Sequence, residues 1–120
     1  MMEKIEEPVA DAVVRWHPAE QGGRRTGPPT APVYMATAVF VLGGDDEVRP
    51  GWPGSAEQFS ILLQKIGEFE DDIWTCLVGF LVPESVRPHL HPGATLLVLE
   101  GPHTVATARI TTVLLPEGVE

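Results

Sequence analysis

Between Ala94 and Leu115 the chain carries two apolar runs, Ala94–Glu100 and Thr104–Leu115, separated only by Gly101-Pro102-His103. Runs this short, rich in Leu, Val, Ile and Thr and joined by a glycine-proline turn, read as a β-hairpin. A hairpin needs neighbouring strands to cover it, and that requirement constrains the remaining chain.

Upstream, the sequence alternates short apolar runs with turn chemistry. Val9–Trp16 alternates with period two, with Ala10, Ala12, Val14 and Trp16 on one face and Val9 and Val13 on the other, which predicts a half-buried strand. From His17 to Pro32 four prolines and three glycines intervene, and these predict a long surface loop, because proline lacks an N–H donor. Val33–Leu42 is β-branched and aromatic and stops at Gly43-Gly44-Asp45-Asp46, a turn signal. Residues 56–66 admit two readings. Ser55 with Gln58, then Phe59, Leu62, Leu63 and Ile66, fit a capped helix ending at Gly67. Phe59, Ile61 and Leu63 also alternate as a strand that would turn at Glu68–Asp72 into Ile73–Val82, and this reading is favoured because Ile73–Val82 needs a neighbour. A loop, Pro83–Gly93, then leads to the hairpin.

Six strands at this spacing, without a long helix, predict an all-β, six-stranded antiparallel β-barrel over residues 9–115, flanked by short tails at 1–8 and 116–120. A chain of 120 residues can bury one core without staples. No apolar run is long enough to span a bilayer as a helix, and the acidic start Glu3-Lys4-Ile5-Glu6-Glu7 is unlike a signal peptide. A single cysteine, Cys76, makes no internal disulfide and fits a reducing compartment; a cytoplasmic location is expected. The formal net charge of -9 disfavours binding to nucleic acid through phosphates and fits a basic protein partner.

Two loops stand out. Glu20-Gln21-Gly22-Gly23-Arg24-Arg25-Thr26 could turn successive N–H groups outward at Gly22-Gly23 and hold an anion with Arg24 and Arg25. The competing reading is a plain turn, with Arg24 tied to an acid such as Glu100. Glu100-Gly101-Pro102-His103 is chiefly a hairpin turn. Arg24, Arg25 and His103 are candidate binding residues, joined by Trp52, whose neighbours Pro50, Gly51 and Pro53 suggest an exposed anchor for a partner.

Groups fit for chemistry are few. His89 and His91 would share one side of an extended segment and could make a metal pair, but no third ligand stands at metal-site spacing; no metal or other cofactor is expected. Cys76 lies in a strand, Ser55, Ser60 and Ser85 lack a nucleophile-elbow context, and Asp45-Asp46 and Asp71-Asp72 sit at turns. No catalytic residue is assigned, and the chain is not expected to be an enzyme.

The Gly22-Gly23-Arg24-x-Thr26 loop after strand one and Glu100-Gly101-x-x-Thr104-Val105 between the last two strands together resemble the C-terminal β-barrel domain of translation elongation factor Tu, over roughly residues 9–115. The resemblance implies the barrel fold and, in the whole factor, a contribution to aminoacyl-tRNA binding. Here Leu99 and His103 stand where that family has arginines, and no Gly-x-x-x-x-Gly-Lys phosphate loop is present. The expected role is therefore a non-catalytic interaction module that binds another protein. A translation-related tRNA- or RNA-binding module is the first alternative, and a small-molecule or metal-binding barrel the second. Oligomeric state is left open by the sequence.

Overall fold

The computed structural model describes residues 4–43, 47, 50–54 and 56–114. Six strands form one closed barrel: β1 (Ala10–Trp16), β2 (Tyr34–Val41), β3 (Phe59–Glu70), β4 (Ile73–Phe80), β5 (Thr95–Glu100) and β6 (His103–Val113), in the order β1-β4-β3-β2-β5-β6. Every neighbouring pair is antiparallel, and β1 closes the barrel by pairing with both β4 and β6. Closure satisfies the backbone groups that an open sheet would leave at its edges.

Alternation builds the core. Ala10, Ala12, Val14 and Trp16 of β1 face inward, and Leu63, Cys76, Val78, Leu96, Val98, Ala106, Ala108 and Ile110 meet them. Alanines on β1 and β6 let the strands approach across a narrow interior that larger side chains from β3, β4 and β5 fill. Among the described residues no polar or charged residue is buried, so the barrel interior is a packed core.

The two ends of the barrel are closed differently. At the end where β1, β3 and β5 finish, Trp16 meets Tyr34 and Trp74 edge to face, at 5.3 and 5.2 Å between ring centroids. Trp16 Nε1 is buried there without a hydrogen-bond partner among the described residues. At the other end Phe40 packs on Phe59 and Phe80. A single helical turn, α1 (Pro83–Val86), and a 3-10 turn (Arg87–His89) lie over that end, placing Val86 in the core.

Of the two readings of residues 56–66 the favoured strand is the one observed, over residues 59–70, because β3 gains two neighbours, β2 and β4. Several boundaries differ from the sequence expectation. The acidic hairpin turn contracts to Asp71-Asp72, since Glu70 pairs with Ile73. The fourth strand stops at Phe80 rather than Val82, and the expected loop 83–93 begins with two helical turns, favoured by proline early in each, Pro83 at the first position of one and Pro88 at the second of the other. The 17–32 loop likewise contains a 3-10 turn at Ala19–Gln21. Ahead of β1, Ile5 is only 7% exposed and seats its side chain over Gly79. The readings placed on Asp45-Asp46, Ser55, Leu115 and Pro116 lie outside the described residues.

Candidate functional site

The loop between β1 and β2 returns to the barrel end closed by the aromatic residues, where the β5–β6 turn also lies. Together they form a cleft of about 480 Å³ lined by Ala19, Gly22, Gly23, Arg24, Arg25, Glu100, His103 and Val105. Three of the four candidate binding residues, Arg24, Arg25 and His103, therefore meet in one place. Trp52 does not join them. It lies half-buried in a turn at Pro50–Gly54, outside the core cluster.

Arg24 is held at two points. Its Nε donates to the carbonyl of Gly27 at 2.9 Å, and its Nη1 donates to Glu100 Oε2. The Tyr34 hydroxyl donates to the same carboxylate oxygen, and the guanidinium lies 5.3 Å from the Tyr34 ring centroid. Burial acts against both charges, but their mutual attraction prevails. Burial lowers the pKa of Arg24, yet the hydrogen bond and charge of Glu100 raise it overall. Burial likewise raises Glu100, while hydrogen bonds from Tyr34 and Arg24 and the charge of Arg24 hold it below the usual carboxylate range. Burial, then the hydrogen bond to Glu100 and its negative charge, push the Tyr34 phenol well above its ordinary value.

The Gly22-Gly23 turn does not present an anion-binding row of N–H groups. Gly22 adopts φ +89°, as the turn requires. Its N–H donates to the carbonyl of Ala19 at 3.1 Å and that of Gly23 to the carbonyl of Pro18 at 3.0 Å, because the 3-10 turn supplies acceptors on the inner side. A Cβ on Gly23 would stand 1.8 Å from the His17 carbonyl oxygen, so the second glycine serves close chain approach. The plain-turn reading, with Arg24 tied to Glu100, describes what this loop does. Arg25 and His103 remain exposed on the cleft wall.

The other expected sites separate in space. His89 ends a 3-10 turn and packs 5.2 Å from the Phe40 ring centroid, whereas the exposed His91 donates from Nδ1 to the carbonyl of Pro92. Two histidines on one side of an extended segment therefore do not occur. Among the described residues no three His, Cys, Asp or Glu side chains converge as a metal site. Cys76 is fully buried, and burial pushes its thiol up to about 12, which suits a small core residue rather than a nucleophile.

Sequence reasoning missed a second concavity. On the outer face of β3 and β4, Ile5, Glu6, Glu7, Leu62, Gly79, Phe80, Leu81 and Pro83 line a groove of about 480 Å³. Its shape depends on Gly79: a Cβ there would stand 2.8 Å from Ile5 Cγ2. The N-terminal segment is pinned alongside by the Ile5 N–H, which donates to Gln64 Oε1 at 2.8 Å. Leu81 and Val82 stand more than half exposed next to it. Its sequence signal was a lone isoleucine among acids ahead of the first strand, together with apolar residues running past the end of β4.

Among the described residues no helix is long and apolar enough to cross a membrane. No protein-family model matches the chain, and no curated protein matches it.

Proposed function

We propose that this barrel is a non-catalytic protein-interaction module whose docking face is the groove beside Ile5. The observation that carries the reading is the groove's composition, an apolar floor of Ile5, Leu62, Phe80, Leu81 and Pro83 bordered by Glu6 and Glu7. Leu81, with Val82 beside it, stands more than half open to water next to these carboxylates, which favours a partner segment that presents an apolar side chain next to Lys or Arg. The net charge of -9 adds a long-range attraction for such a partner and repels polyanions.

Chemistry has little support elsewhere in the barrel. The interior is apolar, Cys76 is buried and protonated, and the charges of Arg24 and Glu100 are engaged with one another. The likeness to the elongation factor Tu barrel is proposed as a relationship of fold, without transfer of tRNA binding. A cytoplasmic setting, where the thiol stays reduced, completes the proposal.

Affinity capture from cells that express the protein, comparing wild type with Leu81→Asp, tests this reading. Leu81 is a surface residue, so the variant folds, and a partner held by the wild type should be lost. If the same partners are recovered with both proteins, the groove is not the docking face. Salt-dependent tRNA binding by the wild type would return the RNA-binding alternative to first place.

A further inference from the structure

We propose that the free end of the β3–β4 ribbon is a second docking element, one that presents Ile66 and Phe69 to a basic, apolar polypeptide segment. The proposal rests on the protein-binding reading above but uses the opposite end of the barrel from the groove.

β2 covers β3 only from Phe59 to Leu63. Beyond Leu63, β3 is paired on one side alone, by β4, as far as Glu70. Within that overhang the register slips twice. Lys65 pairs with Cys76 and Gly67 with Thr75, leaving Ile66 without an opposite residue; Glu68 pairs with Trp74 and Glu70 with Ile73, leaving Phe69 without one. A β-bulge turns its extra side chain away from the regular pleat. The two bulged residues are also the large apolar side chains that the ribbon exposes, at 54% for Ile66 and 69% for Phe69. Solvent-facing positions are ordinarily filled by polar residues, yet both bulges carry apolar ones.

The ribbon is fixed to the barrel end. The Trp16 backbone N–H donates to the carbonyl of Asp72 at 2.8 Å, and Trp74 Nε1 donates to the carbonyl of Asp71 at 3.3 Å. Lys65 Nζ sits 4.5 Å from the Trp74 ring centroid and pairs with Glu68. The ribbon that carries Ile66 and Phe69 is therefore anchored before any partner arrives, which lowers the backbone entropy lost on binding.

Charge selects the occupant. Glu68, Glu70, Asp71 and Asp72 are exposed around the two apolar residues, and Lys65, the ribbon's one cation, is already engaged. A segment carrying Lys or Arg beside apolar residues complements this surface. A second copy approaching ribbon to ribbon would bring the two acidic sets together, and like charges across an interface oppose that pairing.

Isotope-labelled full-length protein titrated with two synthetic peptides of equal length, one alternating Leu and Lys and the other Leu and Glu, tests the proposal by amide chemical shifts. The Lys peptide should shift residues 64–75, bind more weakly as salt is raised, and lose about tenfold or more in affinity to an Ile66→Ser, Phe69→Ser double variant. Shifts confined to Leu62, Gly79 and Leu81 would overturn the ribbon site while keeping the groove. Absence of binding by the Lys peptide, or equal binding by the Glu peptide, would overturn both. A wild-type dimer in sedimentation that the double variant abolishes would also overturn the proposal, assigning the ribbon to self-association.

Discussion

Two clefts of this barrel have similar volumes, about 480 Å³, and differ in how their polar groups are engaged. In the cleft at the β5–β6 turn, charged side chains turn toward one another: Arg24, Tyr34 and Glu100 share one carboxylate oxygen, and the glycines beside them close hydrogen bonds within the loop. In the groove on β3 and β4, Ile5, Leu62 and Phe80 are buried beside an exposed Leu81, and Glu6 and Glu7 line the rim. A cleft whose polar groups are already paired with each other gives little to a ligand, because binding must first break what holds the loop. A groove edged by an exposed leucine gains from a partner that dries it. The residues that stand out as a motif are engaged with one another, and the less conspicuous surface is the one proposed for recognition.

The largest effect that would break this contrast is expected from Gly23→Ala. The new methyl would meet the backbone oxygen of His17 at 1.8 Å, and the loop cannot yield without losing its turn. A loss of about 3 kcal/mol is expected, measured by urea denaturation. An unchanged midpoint would show that the loop is free to move and that its residues are available to a ligand.

Next in size is Glu100→Gln, which removes the charge that holds both Arg24 and Tyr34. The carboxylate is more than a third exposed, so solvent screening reduces the cost to about 1 kcal/mol. Its pKa lies below the ordinary value of 4.5, so on acidification the unfolded chain takes up the proton first. The stability from Glu100 is complete above pH 4.5 and disappears as pH falls through the lower, folded value. Acid titration of stability should therefore be shallower in the variant than in the wild type.

At high pH the sign reverses. Cys76 is raised from 9.0 to about 12 and Tyr34 is raised from 10.0, so both contribute full stability below those ordinary values and lose it as pH climbs toward the folded ones. Cys76→Ala should flatten the alkaline loss between pH 9.0 and about 12. In the wild type at neutral pH, modification of the thiol should follow the rate of unfolding.

A smaller effect is expected in the groove, where Gly79→Ala places a methyl 2.8 Å from Ile5 Cγ2. The N-terminal segment can move aside, so a cost of about 1 kcal/mol is expected, together with faster amide exchange at Ile5. Smallest of all, Leu81→Asp and Arg25→Ala, both at exposed positions, should each change stability by less than about 0.5 kcal/mol. They separate the two clefts most cleanly: partner binding should fall with Leu81→Asp and persist with Arg25→Ala.

Much of the fold was legible because strand signals are local. Period-two alternation in Val9–Trp16 and turn residues between apolar runs act over a few residues, and they placed all six strands close to their observed positions. Of the site, the pairing of Arg24 with Glu100 was legible as the plainer of two readings of the loop, although the two are 76 residues apart. Spacing misled at His89 and His91, where a 3-10 turn over Arg87–His89 with Pro88 inside it replaces an extended backbone. It also gave no warning of Ile5, whose burial depends on the absence of a side chain at Gly79.

The sequence by itself determined that the chain is all-β, that six strands close a barrel, and that the net charge is -9; each follows from nearest-neighbour pattern or from summed charge. Only the tertiary structure decided which charges engage one another, where the clefts open, and that Ile66 and Phe69 leave the ladder. Those outcomes depend on strand register between residues distant in sequence, and register is fixed by how the whole core packs.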